Sequence, residues 1–341
     1  MSSRYEEMQL LHMPSMFSSY LLSPRLLPPD FLIGKTARIM DGYAAREAIR
    51  HAELIQVEHP WLYNYAERRV SSNAKVVLST HNCEYELHRQ AASRFGKGRF
   101  SLQMVKKAER YALERADLVL AVSKEDLSDF DKELDVDIAH KSVIVPNGVD
   151  TTATTPATSG ERKAAKHDLG ITSENLALFI GSRHAPNVEA IASILRIAGR
   201  HNKKTLSIVV VGSAGEGFRD MHNVSFIGHV DDYRPYLRAA DVALNPVISG
   251  SGTSLKTLEY LAAGIPVIST PFGARGLEIE DGQHVLVSDN SKLEENIDLL
   301  ISEEDLTRRL SSNGRQLAVD VYDWRIIGSE LTQALKRRGL V

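Results

Sequence analysis

Short runs of β-branched and aliphatic residues recur along the chain, spaced so that one amphipathic helix fits between each pair. That alternation constrains the fold more than any other feature. The first set is ELIQV (53–57), KVVLST (75–80), DLVLAV (117–122) and SVIVP (142–146). The second is LALFIG (176–181), LSIVVVG (206–212), VSFIG (224–228), DVALNP (241–246) and PVIST (266–270). Nearly continuous apolar runs of this length suit strands covered on both faces, and strand–helix–strand repetition builds a parallel sheet. Between the sets, TTATTPATSG (151–160) is rich in Thr, Ser, Pro and Gly and has no apolar periodicity, which marks a surface loop just inside a boundary. The pattern predicts an α/β protein of two Rossmann-like, doubly wound lobes, residues 1–145 and 146–322, followed by a helical segment at 323–341. Its last helix, about 324–338, has no sheet of its own, and we expect it to dock back on the first lobe.

Composition narrows the classes. With 341 residues, 25% of them charged, and a formal net charge of −3, the chain is an ordinary globular protein with no general affinity for polyanions, so nucleic acid is not an expected partner. The single cysteine, Cys83, can form no intramolecular disulfide, which suits a reducing compartment. No run approaches the roughly 18–20 apolar residues of a membrane-spanning helix. Glu6 and Glu7 precede the first leucines, and Pro14, Pro24, Pro28 and Pro29 interrupt them, unlike a signal peptide. We therefore expect a cytoplasmic protein. The twelve histidines show no HxxxH spacing, so no metal site is expected.

Open parallel sheets bind ligands outside the carboxyl ends of their strands, where helix N-termini present oriented N–H donors and positive partial charge. Two segments of the second lobe have that form, GSRHAPN (181–187) and SGSGTS (249–254). Their small residues admit close backbone approach, and each has a cation in or just beyond it, Arg183 and Lys256. Together they can cradle a diphosphate; singly, each is equally well a plain strand-to-helix turn. Glu259 lies one helical turn beyond Lys256, where its carboxylate can accept hydrogen bonds from a ribose diol or close an intrahelical ion pair worth roughly a few tenths of a kcal/mol.

Two further clusters have competing readings. Asp135-Val136-Asp137 has the spacing of a metal clamp, but a divalent site also needs a diphosphate within reach, so a solvated loop is expected. The stretch 89–115 carries Arg89, Arg94, Lys97, Arg99, Lys106, Lys107, Arg110 and Arg115 against Glu109 and Glu114. Such a run is either a solvated face or a surface that rests peripherally on an anionic membrane.

Several blocks then carry a family resemblance. GSGTSLKTLEYLAAGIPVIST (250–270) with PFGARGLEIEDGQHVLV (271–287) resembles the nucleotide-sugar-binding segment of retaining glycosyltransferases of the two-lobed GT-B fold, in the group 1 or GT4 family. ADLVLAVSKEDL (116–127), VIVPNGVD (143–150), FIGSRHAPNVEAI (179–191), VSFIGHVDDYRPYLRAADVALNP (224–246) and YDW (322–324) agree in order and spacing. The resemblance implies metal-independent transfer of a sugar, with retention, from a nucleoside diphosphate sugar to a glycan or lipid-linked acceptor, with no separate cofactor. It implies that Glu259 binds the ribose and that Lys256 or Arg183 neutralises the phosphates beside Gly181. The loop from Gly228 to Val230 would line the base. Gly252, Thr253 and Ser254 would approach the diphosphate or the sugar, and Thr257 and Leu258 would offer backbone groups. In the first lobe, His81 of STHNCEYEL would touch the donor sugar, with Glu58 and His59 on the same edge.

Departures from the family pattern set further expectations. Ser251 stands eight residues before Glu259, where many members have a second glutamate; Ser182 stands at a common arginine position, and Asn187 near a lysine position. Lys256 is therefore the better phosphate cation. Nothing from residue 1 to 51 matches the usual opening strand and glycine loop; a helix over about 36–51 leads directly into the first strand. The first lobe is thus expected to be shortened or the sequence to lack its natural start, with a sheet edge bare, covered by residues 1–35, or completed by a partner chain. A noncatalytic nucleotide-binding subunit is the alternative function.

Overall fold

The computed structural model describes residues 43–95 and 99–340. The chain divides into two units, Met1–Val145 with Leu331–Val341, and Pro146–Glu330.

In the first unit the four apolar runs become strands β1 (Leu54–Val57), β2 (Lys75–Ser79), β3 (Leu118–Ala121) and β4 (Ser142–Ile144), all parallel and paired in chain order. Helices α1 (Tyr43–His51), α2 (Pro60–Glu67), α3 (Glu84–Phe95), α4 (Arg99–Arg115) and α5 (Lys124–Leu134) precede or join them. Right-handed crossovers between strands in sequential order place the connecting helices on one face. There Val76, Leu78 and Val119 meet Tyr63 of α2, Leu113 of α4, and Phe130 and Leu134 of α5. The alternate residues Val77, Leu118 and Leu120 point to the other face and pack with Leu331, Leu335 and Leu340 of the C-terminal segment. The period of two along each strand thus creates a second apolar face, against which the C-terminal segment packs among the described residues. The expected docking of that helix is what the fold shows. The expected lack of the usual opening strand and glycine loop, the edge cover expected of residues 1–35 and the first part of the 36–51 helix lie outside the described residues.

Residues of two of the sequence clusters make local contacts. Asp135 ends α5 in the left-handed region (φ 56°), and Asp137 accepts the Ala139 N–H at 3.0 Å. On the basic stretch, Arg89 pairs with Glu86 (2.6 Å), Arg110 with Glu114 (2.7 Å) and Arg115 with Glu67, while Lys106 lies 5.1 Å from the Tyr85 ring centre. The side chains of Arg94, Lys97 and Arg99 lie outside those described.

The second unit holds β5 (Asn175–Ile180), β6 (Leu206–Val211), β7 (Val224–Gly228), β8 (Val242–Asn245), β9 (Val267–Ser269) and a short edge strand the pattern did not predict, β10 (Leu286–Val287). All are parallel, in the order β10-β9-β8-β5-β6-β7. Its helices are α6 (Ser159–Asp168), α7 (Ala185–Arg196), α8 (Arg234–Ala239), α9 (Leu255–Ala262), α10 (Leu293–Ser302), α11 (Glu304–Asp320) and the start of α12 (Trp324–Arg337). Alternate strand residues feed two separate cores. Leu176, Leu178, Val209, Val211 and Val267 pack with Leu237, Leu258, Leu261 and Ala318 of α8, α9 and α11. Ala177, Phe179, Ile208, Val210 and Leu244 pack with Ile191 and Ile194 of α7 and Ile297 and Leu300 of α10.

This order decides where a ligand can sit. From β5 the chain winds outward through β6 and β7, then returns to add β8 on the other side of β5, paired at Ala177↔Val242 and Leu178↔Ala243. β5 and β8 therefore flank the topological switch point, where helices leave to opposite faces and a crevice opens outside the carboxyl ends. The loops at 181–187 and 246–254 leave β5 and β8 at that end.

The segment after β4 is tied to the last helix by matched shapes. A Cβ on Gly148 would come within 2.7 Å of the Trp324 ring. The Val149 N–H donates to the Tyr322 carbonyl (2.8 Å), and Thr151 Oγ1 donates to the buried Asp323 carboxylate. Arg325 also binds Asp323, and these bonds hold the Asp323 carboxyl far below the usual carboxylate range. The NGVD and YDW blocks are thus a structural clasp.

Candidate functional site

At the switch point, glycines let the loop backbones approach one another. Gly212 has φ +102°, and a Cβ there would lie 2.4 Å from the Gly181 carbonyl oxygen, which itself accepts the Ala214 N–H at 3.0 Å. The first loop leads into α7, whose cap residue His184 supplies no side-chain cap. The second loop contains Gly250 (φ +130°) and Gly252 (φ +72°) and leads into α9 at Ser254. Arg275 donates to the Gly252 carbonyl (3.2 Å), and Asn147 donates to Thr253 Oγ1 (2.8 Å), so both flanks of the loop's tip are held.

α9 is placed by two buried polar residues, Tyr260 and Asn245. The Tyr260 hydroxyl accepts the Ile180 N–H at 2.7 Å, fixing α9 against the last residue of β5. Asn245, fully buried at the end of β8, directs its amide nitrogen to Ser254 Oγ (3.0 Å), Thr257 Oγ1 (2.9 Å) and the Gly273 carbonyl (3.0 Å). Ser254 therefore does not cap the helix with its side chain. The N–H groups of Leu255 and Lys256, first in α9, have no intrahelical acceptor by geometry, and they carry the positive end of the helix dipole. Thr257 was expected to offer a backbone group, but its N–H donates to the Ser254 carbonyl (3.1 Å) and its side chain is buried on Asn245. Leu258 is fully buried and belongs to the core.

Lys256 is the site's central charge. From α9 its ammonium reaches across to Asn187 of α7, donating to Oδ1 at 2.6 Å, and lies 5.1 Å from the Phe179 ring centre. Among the described residues no carboxylate lies within ion-pair distance of it. Burial alone pulls its pKa down to about 8. A half-buried cation with only neutral partners costs desolvation energy that a bound anion would offset. Arg183, by contrast, turns outward: its side chain is 70% exposed and faces Glu216 at 3.5 Å. The structure joins Lys256 to the first loop and leaves the Arg183 side chain outside.

Glu259 forms no ion pair with Lys256. It accepts from Thr154 Oγ1 at 3.3 Å, and the Tyr233 hydroxyl also donates to it. Burial, then the Glu259 charge and hydrogen bond, push the Tyr233 hydroxyl's pKa up. Arg315 anchors the Thr154 segment by donating to the carbonyls of Thr151 (2.8 Å), Thr154 (2.8 Å) and Ala262 (2.7 Å). At the end of β7, Gly228 (φ +75°) accepts the Gly212 N–H at 2.7 Å, Val230 packs against the core, and the His229 side chain between them is exposed, so Val230 contributes to packing and the loop offers backbone and His229 as a lining.

In the first unit, His81 at the end of β2 and Glu58 at the end of β1 form a hydrogen-bonded pair, Nε2 to Oε2 at 3.1 Å, with the His59 ring centre 5.1 Å away. The bond lowers the Glu58 pKa and raises that of His81, so both favour the charged pair. Beside it, buried Glu109 accepts the N–H groups of Glu84 and Tyr85 (both 2.7 Å) at the start of α3, and burial raises its pKa to about 8. Among the described residues no group of three or more His, Cys, Asp or Glu side chains is placed to hold a metal ion, and no helix is long and apolar enough to cross a membrane.

Two family models divide most of the chain between them: one described as group 1 glycosyl transferases matches residues 174–303, and one described as glycosyltransferase family 4 matches residues 17–153. The chain belongs to the group 1/GT4 glycosyltransferases. The second match begins inside the stretch for which sequence reading found no counterpart. Among relatives, a GDP-mannose-dependent monoacylated alpha-(1-6)-phosphatidylinositol monomannoside mannosyltransferase of Corynebacterium glutamicum is 27% identical over 213 residues, 56% of this chain and 55% of that protein. The chain thus spans about half the length of that curated relative. Among solved structures, sucrose-phosphate synthase from Thermosynechococcus elongatus superposes with a TM-score of 0.72 at 18% identity, covering 90% of this chain and 78% of that one. Anabaena HepE in complex with UDP-glucose gives 0.66 at 18% identity, covering 91% and 82%. These likenesses show the GT-B fold.

Proposed function

We propose that this glycosyltransferase-family chain binds a nucleoside diphosphate sugar at the β5/β8 switch point and transfers the sugar, with retention and without a metal, to the hydroxyl of a glycan or lipid-linked acceptor. The observation that carries the reading is Lys256: a half-buried ammonium with neutral partners only, between two glycine-bearing loops at the carboxyl end of a parallel sheet. Departure of a nucleoside diphosphate leaves negative charge on the phosphate oxygens. A fixed cation and the first N–H groups of α9 stabilise that charge where it develops, in place of a metal. Glu259, with lone pairs beyond those engaged by Thr154 and Tyr233, accepts from the ribose diol. The leaving phosphate takes the acceptor proton. His81 as a contact to the sugar rests on the family resemblance alone.

Donors named for similar proteins, GDP-mannose and UDP-glucose, support a nucleotide-sugar donor without choosing the base. Thermal melts of the full chain with UDP, GDP and ADP in EDTA, followed by NMR analysis of the anomeric configuration of any product, test the proposal. Stabilisation by one nucleotide and an axial-to-axial or equatorial-to-equatorial outcome support it. Stabilisation without transfer to any acceptor supports the noncatalytic alternative, which Ser251 in place of a second glutamate favours. No stabilisation by any of the three overturns the site.

A further inference from the structure

We infer that Asn187 is a positioning residue for this site: its side-chain amide holds the Lys256 ammonium in place for the donor's diphosphate and sets the pH range over which that diphosphate binds. The inference rests on the proposed function. The geometry of the amide leaves one orientation. Lys256 Nζ can only donate and the Ser182 carbonyl can only accept, so Oδ1 must face the ammonium (2.6 Å) and Nδ2 the carbonyl (3.0 Å), as they do. An asparagine satisfies both at once; an aspartate, a leucine or a lysine satisfies at most one. Asn187 also packs against the first loop, since a Cβ on Gly181 would lie 3.2 Å from the Asn187 Cβ. One side chain thereby links the backbone of the first loop to the cation that α9 sends into it.

The charged groups around Lys256 are otherwise engaged. On the neighbouring loops Arg183 faces Glu216, and Arg275 holds the Gly252 carbonyl. On α7, Glu189 accepts from Ser249 (3.3 Å), and on α9 itself Glu259 accepts from Thr154 and Tyr233. None stands within ion-pair distance of the ammonium; burial depresses its pKa, and the Asn187 Oδ1 is the neutral acceptor that meets it. Its free-state pKa is about 8, depressed from the ordinary lysine value. The ammonium is present below that pH and lost above it, while a bound diphosphate holds the proton on. Binding therefore takes up a proton near pH 8. The affinity falls about tenfold from pH 7 to pH 9, since the protonated fraction of a group titrating near 8 drops by about that factor.

The test is calorimetric titration of the full chain with UDP, GDP and ADP between pH 6.5 and 9.5, in metal-free buffers of different ionisation enthalpy, for wild type, Asn187→Leu and Asn187→Asp. For wild type we expect proton uptake on binding and a break in affinity near pH 8. Asn187→Leu removes the ammonium's neutral acceptor and moves the break to lower pH. Asn187→Asp supplies a carboxylate and moves it to higher pH, with weaker binding at pH 7 because the new charge competes with phosphate. The near-isosteric aspartate variant keeps the test available if the leucine variant does not fold. A wild type that binds with a break unmoved by either substitution overturns the role of Asn187 alone. A wild type that binds none of the three nucleotides at any pH overturns the site and this role with it.

Discussion

Replacing Tyr260 with Phe tests how α9 is held at the mouth of the sheet. Tyr260 is fully buried, and its hydroxyl accepts the Ile180 N–H at 2.7 Å. Phe fills the same space, so the substitution removes one hydrogen bond and leaves a partly buried backbone donor without its acceptor. Such a loss costs about 1–3 kcal/mol. For a unit the size of Pro146–Glu330, each kcal/mol shifts the unfolding midpoint by roughly 2–4 °C, so the expected fall is on the order of 2–12 °C. Ile180 leads directly into Gly181, and Tyr260 lies one turn from Lys256, so nucleotide affinity should fall as well. The assay is a calorimetric melt of the full chain and its Tyr260→Phe variant, with and without the nucleotide that binds. A midpoint within about 1 °C of wild type, with unchanged affinity, would refute the claim that this hydroxyl fixes α9 to β5.

Other expectations follow from the same contacts. Lys256→Ala should weaken diphosphate binding by about 1.5–3 kcal/mol, the range for a hydrogen bond to a charged group, while Arg183→Ala should change it far less, because the Arg183 side chain faces Glu216 and solvent. Calorimetry giving equal losses, or a larger one at Arg183, would move the phosphate to the other cation. Gly148→Ala places a methyl 2.7 Å from the Trp324 ring and should destabilise the chain by about 1–3 kcal/mol by overpacking, read as a lowered melting midpoint. An unchanged midpoint would show that the clasp between residues 147–150 and 322–324 is loose. EDTA should leave nucleotide affinity unchanged, and a magnesium requirement would direct attention back to Asp135 and Asp137.

The strands were legible because most are buried on both faces, and a continuous apolar run has few other uses in a chain of this composition. β10 was not, since two residues at a sheet edge carry no periodic signal. The two loops were legible as small-residue segments between strand and helix. What joins them was not: the β5–β8 pairing that makes a switch point is set by strand order, a property of the assembled sheet. Lys256 finds Asn187 across 69 residues of sequence, and no spacing rule connects them. Arg183 looked suitable because it lies inside the loop, but its side chain leaves toward Glu216. Asn245 and Tyr260 carry no motif that singles them out in the sequence; their hydrogen bonds reveal them as the fastenings of α9.

A crystal structure of the full chain soaked with saturating UDP, GDP or ADP in EDTA tests the central claim most directly. The account predicts a diphosphate between residues 181–187 and 249–256, contacted by Lys256 Nζ and the first N–H groups of α9, with the ribose on Glu259. An ordered nucleotide whose phosphates lie away from Lys256 and both loops would contradict it, as would the absence of any bound nucleotide at saturation.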